Sequence, residues 1–234
     1  MRQYNRAQIK NQTDKMMRTQ KAIIFALSSL AEKRDEETGL HLKRMQSYSA
    51  LAALLLYQKT TLNSVEYSFI RDIFDSSILH DIGKVGIPDA ILCKPGKLDA
   101  HEMKIMETHS IIGYDAFKSA TRELERDPFL QMCMDIILYH HEKWDGSGYP
   151  MGLLQEDIPL SARIVTICDY YDALTTKRHY KDIIPHKEAL KILEQNNLIF
   201  DPTILGIFLD NEEEFNRIRK EFSESEEILP KIDI

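Results

Sequence analysis

The chain has 234 residues, enough for one large domain with a full core. Its formal net charge of −7 excludes a general polyanion-tracking surface, and with it a DNA or RNA polymer as partner, so any phosphate recognition has to be local. The apolar runs 22–31 and 47–57 are too short to span a bilayer. Met1 is followed by a polar, basic stretch rather than a signal peptide. Cys93, Cys133 and Cys168 are odd in number and lack a CxxC, which points to a reducing, cytoplasmic setting without a disulfide frame.

Residues 1–34 read as one helix, a lead-in or linker distinct from a catalytic domain over 35–234. Its first half is basic. Ile23, Ile24, Leu27 and Leu30 then recur at helical spacing, which predicts that the last turns dock on the core. The same helix is a candidate for pairing with its copy in a homodimer or for joining a sensor partner. Glu37 and His41 follow at i and i+4, on one face if they open the next helix. The run 50–57 reads as a buried helix, and 64–80 repeats the pattern at Phe69, Ile70, Ile73, Phe74 and Leu79. That run ends in His80-Asp81, after which Gly83, Gly86 and Pro88 turn the chain. A buried His beside a buried Asp needs partners, and imidazole with carboxylate suits Fe, Mn, Zn or Co.

Asp99 and Glu102 have capping-box spacing, so a helix starts at Ala100. Met103, Met106, His109, Gly113 and Phe117 mark its inner face. The apolar helix 129–139 closes on His140-His141, a pair that packing explains poorly. The loop 144–150 combines glycines with Trp144 and Tyr149. Pro159 starts a helix carrying Asp169 and Asp172 one turn apart, with Arg178 and Lys181 just beyond. Pro185 and Pro202 open two more, the second running toward Phe222, and the acidic residues from Asp210 onward read as a solvated end. Alternating β-branched runs are missing, so the fold class is all-α, a helical bundle.

Taken together, His41, His80, His109, His140, His141, Glu37, Asp81 and Asp169 fall at inner faces or ends of predicted helices. A bundle can aim such residues into one cavity, and eight N/O ligands suit two or three ions sharing a carboxylate.

On these residues the sequence resembles the HD-GYP family, a branch of the HD metal-dependent phosphohydrolases. The likeness is carried by 80–89 (HDIGKVGIPD), 94–98 (KPGKL), 106–109, 140–150 (HHEKWDGSGYP), and Asp169 with 172–175 (DALT). It runs over roughly 31–205. It implies an HD-domain helical fold, hydrolysis of cyclic di-GMP to pGpG and onward to GMP, and a bi- or trinuclear iron or manganese centre. It implies His41, His80, Asp81, His109, His140, His141 and Asp169 as metal ligands, with Glu37 as the extra carboxylate of trinuclear members. Tyr149 is implied as substrate wall, and Arg178 and Lys181 as phosphate contacts. Two further roles are expected: Lys84 balances phosphate charge, and Asp172 orients the nucleophile or takes its proton. His179 and the Cys168-Asp169-Tyr170-Tyr171 run depart from the family pattern, which puts substrate preference and oxidation sensitivity at issue. The rival readings are a phosphodiesterase for a mixed cyclic dinucleotide and a weakly active cyclic di-GMP receptor.

Overall fold

The computed structural model describes residues 2–34, 39–59, 66–124, 127–176 and 183–224. Among them there are helices and no strands. The order is α1 (Arg2–Glu32), α2 (Gly39–Lys59), α3 (Tyr67–Ser76), α4 (Asp89–Leu92), α5 (Ala100–Glu107), α6 (His109–Ala120), α7 (Pro128–Tyr139), α8 (Leu160–Thr175), α9 (His186–Gln195), α10 (Pro202–Asp210) and α11 (Glu212–Glu224). Two tight 3₁₀ segments, Ser77–Leu79 and Ile82–Gly86, flank His80 and Asp81.

The main core lies where α2 packs on α3, α8, α10 and α11. Tyr48, Tyr171, Phe208 and Phe215 are fully buried there, with Phe208 and Phe215 stacked at 3.8 Å. A smaller cluster of Leu79, Cys133 and Ile137 sits under Ile24, Phe117 and Phe129. The helix starts follow local chemistry. Asp99 accepts from the His101 and Glu102 backbones while Glu102 accepts from the Asp99 N–H, closing the expected capping box. Asp127 and Asp201 cap α7 and α10, each ahead of a proline in the first turn.

Four expectations differ from what is observed. The helix from 100 to 117 breaks at Thr108 into α5 and α6, and Met103 is exposed. On α1, Ile23, Leu27 and Leu30 face outward, while Ile24, Ser28, Ala31 and Glu32 face the body. Phe74 on α3 is likewise exposed, while Ile73 is buried. The helix opened by Pro202 ends at Asp210 and α11 starts afresh at Glu212; Asp210, Glu213 and Glu214 are exposed as expected, but Phe215 anchors α11 in the core and Glu212 pairs with His186 Nε2 at 2.9 Å.

Close backbone approach seats the HD pair. Gly83 lies against α6, where a Cβ would run into the His109 carbonyl oxygen. The absence of a side chain lets the Ile82–Gly86 segment press onto α6 and brings Asp81 beside His109.

Candidate metal centre

Four histidines share one wiring. His80 Nδ1 donates to the Ser77 carbonyl at 2.8 Å, His109 Nδ1 to Met106 at 2.8 Å and His140 Nδ1 to Ile136 at 2.9 Å. His41 Nδ1 donates to Asp172 Oδ2 at 2.7 Å. A ring nitrogen facing a carbonyl or carboxylate oxygen must carry the proton, so that in the neutral ring Nε2 keeps its lone pair as the ligand atom. Those Nε2 atoms converge, at 3.5 Å for His41 and His80 and 3.4 Å for His109 and His140.

The rings form one contiguous set. Centroids are 5.4 Å apart for His41 and His80, 5.2 Å for His80 and His140, 5.4 Å for His109 and His140, and 4.0 Å for His140 and His141. Two ligand groups result: Asp81 with His109, His140 and His141, and His41 with His80 and Glu32. Asp81 and His80 join them, Asp81 Oδ2 lying 3.3 Å from His80 Nε2.

The carboxylate of Asp81 is the hinge of the site. Oδ2 is held by Lys84 Nζ at 2.8 Å. Oδ1 accepts no hydrogen bond among the described residues, yet it is buried, 3.3 Å from His109 Nε2 and 3.7 Å from His140 Nε2. A buried anionic oxygen ringed by imidazole lone pairs is unfavourable by itself and fits a divalent cation. The donor set of imidazoles and carboxylates without cysteine suits Fe, Mn or Zn in an open, reactive site rather than a structural zinc.

The charges agree with this. Burial alone would raise the Asp81 pKa, but the Lys84 ammonium and His80 overcome it and hold the carboxyl well below its usual range. Burial lowers the His109 pKa to about 4 and pushes His141 well down, so both present neutral nitrogens at pH 7. His80 is the exception: burial opposes its charge, yet the Asp81 carboxylate, with Asp169 behind it, raises its pKa to about 9. Asp169 falls outside both ligand groups and acts on His80 through its charge.

Asp172 and Lys84 are more tightly committed than the sequence reading expects. Both oxygens of Asp172 are engaged: Oδ1 by Arg44 Nε at 2.6 Å, and Oδ2 by the Arg44 guanidinium at 3.1 Å and His41 Nδ1. Among the described residues Asp172 is thus committed to His41 and Arg44. Lys84 is buried and committed to Asp81, so its first task is to hold that carboxylate. Cys168 is fully buried with its thiol pKa pushed up by burial, which insulates it from oxidation. Tyr149 stacks on His141 at 4.7 Å with the rings 28° apart, and lies 6.3 Å from His109. Glu37, Arg178, His179 and Lys181 lie outside the described residues.

Sequence reasoning missed Glu32 and Arg44. Glu32 Oε1 is 3.7 Å from His41 Nε2. The inward stripe of α1 supplies the signal: once Ile24, Ser28 and Ala31 are seen to face the body, Glu32 falls four residues after Ser28 on the same face. Arg44 follows His41 at i+3, again on one face.

A helical bundle that gathers imidazoles and carboxylates from α1, α2, α6, α7 and the turn after α3 defines a metal-binding protein of the HD type. An HD-domain family model matches residues 18–204, and the chain belongs to that family, in its HD-GYP branch. It is 41% identical over 234 residues to a probable cyclic di-GMP phosphodiesterase of Vibrio cholerae, covering 99% of this chain and 53% of that protein. It is 40% identical over 202 residues to a 3′3′-cGAMP-specific phosphodiesterase of the same organism, covering 86% of this chain and 36% of that protein. The chain thus spans about half or less of the length of these relatives. Among solved structures, a cyclic GMP-AMP specific phosphodiesterase of V. cholerae superposes with a TM-score of 0.58 at 17% identity, over 85% of this chain and 50% of that one, which shows the shared fold. No helix among the described residues is long and apolar enough to cross a membrane.

Proposed function

We propose that this chain is a metal-dependent phosphodiesterase that opens cyclic di-GMP to pGpG and carries some of it on to GMP. The observation that carries the reading is the contiguous ring of imidazoles around Asp81, with every Nδ1 described above spent on an oxygen and the Nε2 atoms facing inward. Relatives named cyclic di-GMP phosphodiesterases over nearly the whole chain support the substrate.

His80, Asp81, His109, His140 and His141 would hold one pair of ions, with Asp169 near them. His41, His80 and a carboxylate would hold a third, Glu32 being the described carboxylate and Glu37 the one implied by family likeness. Iron or manganese at this site supplies Lewis acidity toward a phosphodiester and lowers the pKa of water. The chain's own residues do the rest. Lys84 keeps Asp81 ionised and fixed. Asp172 and Arg44 fix His41. Tyr149 walls the side over His141 and presents a ring on which a base can stack. Arg178 takes a phosphate in two-point fashion and Lys181 adds a point charge. The outward Ile23, Leu27 and Leu30 of α1 support a homodimer through that helix, and the free thiols support a cytoplasmic setting.

The test is anaerobic incubation of Fe(II)- or Mn(II)-loaded protein with cyclic di-GMP, followed by chromatography. Release of pGpG is expected. Binding without product would replace the enzyme reading with a receptor. The relatives specific for 3′3′-cGAMP favour a second reading, a mixed cyclic dinucleotide as substrate. Comparing kcat/KM for the two dinucleotides separates them.

A further inference from the structure

Glu142 follows His141 directly and is 1% exposed, yet it belongs to neither ligand group. Its carboxylate accepts three consecutive backbone N–H groups from the far side of the GYP loop. Oε1 accepts from Met151 at 2.6 Å and Gly152 at 3.1 Å, and Oε2 from Leu153 at 3.0 Å. The near side is tied as well, the Tyr149 N–H donating to the His141 carbonyl at 3.2 Å. A Cβ on Gly148 would meet the backbone of residues 141–143, so the loop lies directly on the strand of chain that carries the two histidines. Met151 is exposed, and Tyr149 and Pro150 are only half-buried. The loop has little core of its own. The loop is thus held on both sides of the Tyr149 ring, by the His141 carbonyl before it and by the Glu142 carboxylate after it.

We propose that Glu142 is a positioning residue: its carboxylate clamps the loop after Tyr149 and thereby sets the stack of Tyr149 on His141 that shapes substrate affinity. This rests on reading the chain as a cyclic-dinucleotide phosphodiesterase. Charge-assisted bonds from three backbone donors are strong enough to hold a short loop that core packing does not. The alternative assignment, a buried carboxylate that only stabilises the fold, makes no link between Glu142 and Tyr149.

Glu142→Gln keeps the volume but turns one acceptor into an NH₂ that faces a backbone N–H. In Mn(II)-loaded protein, metal equivalents per chain and turnover of bis(p-nitrophenyl) phosphate, a diester without bases to stack, are expected to stay unchanged. KM for cyclic di-GMP is expected to rise about tenfold with kcat nearly constant, the size expected for a lost charge-assisted hydrogen bond. In a Tyr149→Ala background the same substitution is expected to add nothing, because both changes act on one ring. Glu142→Asp, shorter but still charged, is expected to move KM in the same direction by less, and it carries the test if the Gln variant fails to fold. A KM increase of equal size with and without Tyr149, or an equal loss on both substrates, would overturn the proposal. Independently of any substrate, in Zn(II)-loaded protein the ring-current shift that Tyr149 imposes on the His141 protons is expected to shrink in Glu142→Gln; an unchanged shift would also overturn it. Wild-type protein that cleaves the nitrophenyl diester but not cyclic di-GMP would instead contradict the functional reading, leaving the His141 shift to judge Glu142.

Discussion

At the scale of single residues, the site is built by spending one side of each ring on orientation. Asp172 shows how much this costs the protein: a fully buried carboxylate, an arginine and a histidine are locked together so that one nitrogen of His41 points inward. Replacing Asp172 by Asn removes the charge that fixes the His41 tautomer. Metal affinity at the His41 position is expected to fall about 10- to 100-fold, as for other partners of metal-bound histidines, measured by titrating Mn(II) into the metal-free variant. Asp81→Asn should do more, because Oδ1 lies between two imidazoles; loss of bound metal from the purified protein is the readout. The cysteines offer a separate check. Burial raises the thiol pKa of Cys133 and Cys168 out of the reactive range, whereas Cys93 is exposed. A chromogenic thiol reagent at pH 8 is expected to label Cys93 alone in folded protein; rapid labelling of Cys168 would contradict its burial.

At the scale of elements, the ends of helices matter more than their middles. The end of α1 brings Glu32 to the site, and Arg34 then bonds the Val85 and Ile87 carbonyls at 2.6 and 3.0 Å and Asp89 at 2.6 Å. Through that guanidinium α1 is pinned to the segment holding Lys84, which holds Asp81. Helix α11 illustrates what periodicity hides. Its acidic start reads as solvated, and Glu213 and Glu214 are exposed, but Phe215 in its first turn is completely buried on Phe208. Phe215→Ala is expected to cost about 3 kcal/mol by opening a cavity and to lower Tm by about 9 °C in a chain of this size, followed by thermal unfolding. A change within about 1 °C would mean that α11 is not part of the cooperative core. Helix existence, capping at Asp99 and the Pro starts were legible because they depend on residues within one turn. The break at Thr108 was not, because it answers to tertiary packing, the seat of Gly83 against α6, and at Asn211 the side-chain amide donates to the Ile207 carbonyl where α10 ends.

At the scale of the whole molecule, four helices and the turn after α3 bring side chains spread from Glu32 to His141 to one centre. His80, Asp81, His140 and His141 stood out because polar groups at the ends of apolar helices need partners, whereas His41 and His109 entered the set only alongside them and through the family likeness. Glu32 and Arg44 were not legible, because each resembles an ordinary surface charge until the inward face of its helix is known. Since the ligands come from separate elements, metal binding should stabilise the fold as a unit. Chelation is expected to lower Tm, and adding Mn(II) back to restore it.

The most direct measurement is anomalous scattering at the iron or manganese absorption edge from crystals of the anaerobically loaded protein. Peaks are predicted beside Asp81 Oδ1 among His109, His140 and His141, with a further peak between His41 and His80. A loaded crystal with no peak within bonding distance of Asp81 would contradict the account.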